Sequence, residues 1–211
     1  YWAEKAGVTE AKAYATQPTT SGGHASRKLR AALGHVACTD LYEADAPGHS
    51  KHDLERTTHV VSFLPLHEQI AKSLKDTPSS LTKLAELKAT GDLPRAYVEH
   101  PVVCGNPDEP VIPIAMFMDA VPYSHTDSVL GCWGLNILTD ERFVFGVVRK
   151  RNLRRCGCKG WCTYNIVFQL AAWSFEALAK NEWPSERHTG DTWLPSDTKR
   201  ASMAGQPLAH I

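Results

Sequence analysis

The stretch Val111-Ile112-Pro113-Ile114-Ala115-Met116-Phe117-Met118-Asp119 decides how the chain is read. It is apolar without alternation, which suits a strand covered on both faces. Pro113 cannot donate to a ladder, so it marks the first residues of that strand. The run ends on Asp119. A carboxylate set where a buried strand emerges is held rigidly at a sheet edge, where open α/β sheets build their sites. The alternative is a turn aspartate ahead of Val121-Pro122. Two further strand-like runs follow, Asp127 to Leu138 and Arg142 to Val148. The short polar link Thr139-Asp140-Glu141 makes them a hairpin.

Next comes a basic, cysteine-rich knot, RKRNLRRCGCKGWC, over 149–162. A long apolar helix then runs from about Thr163 to Lys180. It carries Tyr164, Val167, Phe168, Ala171, Phe175 and Leu178 on one face. The expected fold class is α/β (α+β): a three-stranded antiparallel sheet plus a packed helix, over 111–180.

Upstream, residues 1–100 read as a mainly helical preface. Helices are expected over 1–14, from Ser26 to Leu33, from Pro65 onward, and to about Ala89, where Leu81, Leu84 and Leu87 recur. Residues 16–23 and 44–53 read as loops, the second holding His49 and His52. Thr57 to Leu64 is the one strand. Pro101 to Pro110, with three prolines, is the linker to the core. His67-Glu68 is half of a zinc-protease signature, but Ala71 stands where the second histidine belongs. Residues 181–211 read as an irregular tail. The chain opens on Tyr1-Trp2-Ala3-Glu4, and we expect a longer parent protein.

The 211 residues carry 23 Lys+Arg against 23 Asp+Glu, so overall charge gives no support to nucleic-acid binding. Local charge does. Arg149, Lys150, Arg151, Arg154, Arg155 and Lys159 crowd into eleven positions, with Trp161 beside them. Cations next to an aromatic suit phosphate contact plus base stacking, and a solvated basic loop is the alternative. No apolar run is long enough for a membrane span.

Six cysteines are too few for a disulfide scaffold. Cys156, Cys158 and Cys162 have the spacing C-x-C-x3-C, and Gly157 and Gly160 let the backbone fold tightly between them. In a reducing compartment such clustering favours a metal. Structural zinc takes four ligands, and Cys132 on the neighbouring strand is the fourth choice, ahead of Cys104 and His188. Buried thiols in a compact turn are the competing reading.

The order of strand with Asp119, hairpin and helix resembles the opening of the ribonuclease-H-like fold of nucleases, integrases and DDE-type transposases. That resemblance implies a divalent metal such as magnesium at Asp119, with Glu176 on the helix and Asp191 in the tail as further carboxylates. A second resemblance spans most of the chain. Asp119 with Val121-Pro122-Tyr123, Val148-Arg149-Lys150, the Cys-Gly-Cys-Lys-Gly-Trp-Cys knot and Trp173-Ser174 resemble an uncharacterised, mobile-element-like protein family of unicellular eukaryotes. Pro47-Gly48-His49 and His67-Glu68 fit it too. Ala120 departs from it, since the family has glycine after the aspartate.

Three expectations follow. The first is a piece of a metal-dependent nuclease or transposase core, inactive alone because its carboxylates are incomplete. The second is a non-catalytic, zinc-stapled nucleic-acid-binding module. The third is a structural domain without a site. The first two imply an intracellular, nuclear setting.

Overall fold

The structure is a computed structural model that describes residues 41–50, 55–76, 79–122 and 127–208. The helices expected over 1–14 and 26–33 lie outside those residues. The chain divides into two units, Tyr1–Leu41 and Tyr42–Ile211, and the second is described here.

Unit two is α+β. Its elements run β1 (Tyr42–His49), β2 (Arg56–Phe63), α1 (Leu66–Asp76), α2 (Ser79–Thr90), α3 (Arg95–Val98), α4 (Pro101–Gly105), β3 (Ile114–Pro122), β4 (Ser128–Asn136), β5 (Glu141–Arg149), a 3-10 turn (Lys150–Asn152), α5 (Trp161–Lys180) and α6 (Thr198–Met203). The three expected strands pair antiparallel, but the sheet has five strands, ordered β1-β2-β5-β4-β3. β2 meets β5 through Phe63 and Gly146, reinforced by Leu64 N–H donating to Phe145 O at 2.8 Å.

β1 is the strand that sequence reading took for a loop. Its Asp, Pro and Gly mask a clean alternation, with Tyr42, Ala44 and Ala46 buried and Glu43 and Asp45 exposed. An edge position accommodates Pro47, which has no N–H to give.

β3 is also an edge strand, not a central one. Phe117 and Met118 each remain 38% exposed because, among the described residues, no strand lies beyond them. Phe117 compensates by stacking on Trp133 of β4, with ring centroids 5.2 Å apart. Asp119 therefore sits within an edge strand, opposite Gly131, and is itself exposed.

α5 packs on β1 and α1. Its buried positions are Thr163, Val167, Leu170, Ala171, Ser174 and Ala177. That stripe is rotated from the expected one, and Phe168 is 36% exposed. The cause is the small, hydroxylated face of the helix. Thr163 and Ser174 find hydrogen-bond partners at close range, so they can be buried where bulkier aromatics stay at the rim. The core joins Tyr42, Phe63, Leu66, Cys132, Phe145 and Leu170. Among the described residues, no helix is long and apolar enough to cross a membrane.

Candidate metal and nucleic-acid site

The knot is a turn wound against the start of α5. Lys159 (φ 52°) and Gly160 (φ 88°) are successive left-handed residues, and Gly157 (φ 87°) is a third. Trp161 N–H closes the turn on Cys158 O at 2.9 Å. A left-handed lysine costs about 1–2 kcal/mol, so the surroundings must hold it there. Gly160 has a second reason to lack a side chain: a Cβ would sit 3.1 Å from both Leu153 and Tyr164.

This winding brings the sulfurs together. Cys156 Sγ and Cys162 Sγ are 3.7 Å apart, and all three ligand atoms lie within 4.8 Å of one another. Two sulfurs bound to one tetrahedral zinc at about 2.3 Å each stand roughly 3.75 Å apart. The cluster could therefore hold a metal such as zinc. The backbone N–H of Cys162, helped by the Cys156 thiol, holds the Cys158 thiol down at about 6. The Cys162 thiol is pushed up, chiefly by its hydrogen bond with Cys158. Cys158 thus presents a thiolate, the form that binds metal, ahead of Cys162.

Cys132 does not join them. It is fully buried in the core, and burial raises its thiol to about 11. It packs in the core cluster and is not among the residues whose ligand atoms converge. Cys104, on α4, donates to Val98 O at the end of α3, and His188 Nδ1 meets the Tyr42 hydroxyl at 2.6 Å.

Three contacts fasten the knot and the start of α5 to the end of β1, and a fourth ties the knot to α5. Thr163 Oγ1 donates to Pro47 O at 2.6 Å and accepts from Arg154 N–H at 3.0 Å. Arg155 N–H donates to His49 Nδ1 at 2.6 Å, and Gly48 bridges to Leu153. Gly48 must be glycine, because a Cβ would lie 2.2 Å from the His59 ring and 2.5 Å from Asn152 O. Sequence reading missed this latch. Its one signal was Pro47-Gly48-His49, noticed only through resemblance.

The basic run is not uniform. Asp127, its side chain 6% exposed, pairs with Arg149 Nη2 at 3.3 Å and Arg151 Nε at 3.2 Å. Its Oδ1 also accepts from the N–H groups of Ser128 and Arg151. Lys150, Arg154, Arg155 and Lys159 have no carboxylate partner among the described residues, and all but Arg154 are exposed. Arg154 Nε is buried without a hydrogen-bond partner. Beside them Trp161 is 59% exposed and leans on the half-open Phe168, centroids 5.5 Å apart.

The three carboxylates expected around a catalytic metal are not gathered. Among the described residues, the three cysteines are the one group of three or more His, Cys, Asp or Glu close enough to hold an ion. Asp119 is on the β3 edge. Glu176 accepts from Lys180 Nζ at 2.7 Å and lines a shallow cleft of about 130 Å³ with Trp173 and Trp183. Asp191 accepts from Thr189 Oγ1 at 2.7 Å in the tail.

The tail is ordered onto the core by buried charge, which apolar periodicity could not reveal. Arg187 pairs with Asp197 and donates to Glu43 O, while Arg200 Nε donates to Glu68 at 2.5 Å. Both guanidinium groups lie over the Tyr42 ring. Nearby, His67 Nδ1 and Ser174 Oγ, both buried, are 3.1 Å apart. This serine–histidine pair has no opening to solvent and serves packing.

No protein-family model, curated protein or solved structure matches the chain.

Proposed function

We propose that the chain is a metal-stapled nucleic-acid-binding module. Zinc on Cys156, Cys158 and Cys162 fixes the knot, and the knot presents Lys150, Arg154, Arg155 and Lys159 to phosphates. Trp161 and Phe168 offer stacking surfaces to unpaired bases. The observation that carries this reading is that a three-sulfur cluster, four cations without carboxylate partners among the described residues and, on the start of α5, an exposed aromatic pair adjoin one another along 150–168. Asp127 tempers Arg149 and Arg151, so those two contribute less than their sequence position suggests.

The nuclease reading is less well supported, because Asp119, Glu176 and Asp191 form no ion-holding cluster. A reducing, intracellular compartment, the nucleus included, suits the three thiols. The test is binding of a labelled single-stranded oligonucleotide across salt concentrations. Four phosphate contacts at roughly 0.7 counterions each give a log–log slope of about −3. A slope near zero, or no binding at low salt, contradicts the proposal.

A further inference from the structure

We infer that the Cys156–Cys158–Cys162 site is open-faced: it takes a zinc-type, thiophilic divalent ion on three thiolates, and the fourth coordination position receives a donor from solution. This rests on the metal staple proposed above and concerns what completes it.

Three observations lead here. The sulfur triangle is already near the spacing of a tetrahedral face, with Cys156 and Cys162 at 3.7 Å. Among the described residues, no fourth His, Cys, Asp or Glu joins the cluster, and the plausible donors are otherwise engaged. Cys132 is sealed in the core, His49 Nδ1 accepts the Arg155 N–H, and His188 meets Tyr42. The cluster also faces outward. Cys156 is exposed and Cys158 and Cys162 are half-buried, so among the described residues the cluster is not closed over.

Zinc sites with four protein ligands are closed and structural, whereas three protein ligands leave an exchangeable position. The knot belongs to the second type. The left-handed Lys159–Gly160 turn winds the backbone so that the three sulfurs converge. Lys159, Arg154 and Arg155 surround the position with positive charge, which favours neutral or anionic donors over cationic ones.

The test loads the full 211-residue chain with Co²⁺, whose thiolate charge-transfer intensity counts bound sulfurs. Imidazole is then added and the visible ligand-field bands are followed. We expect the intensity of three thiolates, and a band shift that saturates with imidazole while the charge-transfer intensity holds. Cys104→Ser, and Cys132→Val, which keeps the apolar volume, should leave both spectra unchanged. Four-thiolate intensity, or bands indifferent to excess imidazole, overturns the open position. Oligonucleotide binding by the same cobalt-loaded sample separates the two claims. A closed site that still binds nucleic acid removes only this inference, and a chain that takes up no cobalt removes the staple as well.

Discussion

The backbone N–H of Arg155 donates to Nδ1 of His49 at 2.6 Å, across 106 residues of sequence. One end of β1 thereby fixes the turn that carries the cysteines and the basic residues. His49 is 7% exposed, so removing its ring strands a donor and opens a void. We expect His49→Ala to cost about 2–3 kcal/mol in denaturant unfolding and to weaken oligonucleotide binding. Unchanged affinity in a folded His49→Ala would separate the latch from the binding surface.

Asp127 is a brake on the basic surface. Asp127→Asn keeps an oxygen to accept from Ser128 and Arg151 but removes the charge facing Arg149 and Arg151. Affinity should rise in the variant. Its salt slope should steepen by up to about 1.4, roughly 0.7 for each arginine released. A salt titration of variant and parent checks this, and equal slopes would mean that neither arginine reaches phosphate.

Much of the core was legible before any coordinates. The β3–β4–β5 meander and α5 follow from apolar runs, a short polar link and helical periodicity. The site was legible in part: C-x-C-x3-C put three sulfurs within seven residues, and they do converge. What escaped depends on pairing at long range. An apolar run such as Ile114–Met118 reads the same at a sheet edge as at its centre, because strand order is not local. β1 hid behind alanines and loop-type residues. Asp127 and the Arg187–Asp197–Arg200 cluster gave no periodic signal, since buried ion pairs are recognisable only once both partners are placed.

Acid should weaken the fold before carboxylates titrate. Burial, and then the Arg200 charge, pushes the buried His67 down to about 3, and burial lowers His188 as well. The unfolded chain, with histidines near 6.5, therefore binds more protons than the folded one between those values. Stability is complete above pH ~6.5 and falls as the pH drops, by up to about 1.4 kcal/mol per unit from His67 alone. Urea midpoints from pH 7 to 5 should decline, and His67→Gln should flatten the trend. A flat parent curve would mean that His67 is solvated.

The tail is held by charge, so it should be lost with charge. Asp197 is buried between Arg187 and Arg200. Asp197→Ala removes the carboxylate paired with the buried Arg187 guanidinium, while Arg200 keeps Glu68, at a cost of about 3–5 kcal/mol. Tryptophan fluorescence should report the change through Trp193 and Trp173, which lie 6.1 Å apart. A stability within 1 kcal/mol of the parent would mean that the tail contributes little to the fold.

Anisotropy of a fluorescent single-stranded oligonucleotide, read before and after chelation of the zinc-loaded chain, bears most directly on the metal-stapled binding surface. We expect chelation to lower affinity at least tenfold, zinc to restore it, and Cys158→Ser to bind as weakly as the chelated parent while keeping its helical signal. Affinity that ignores both chelation and Cys158→Ser would show that the cysteines do not organise the basic loop.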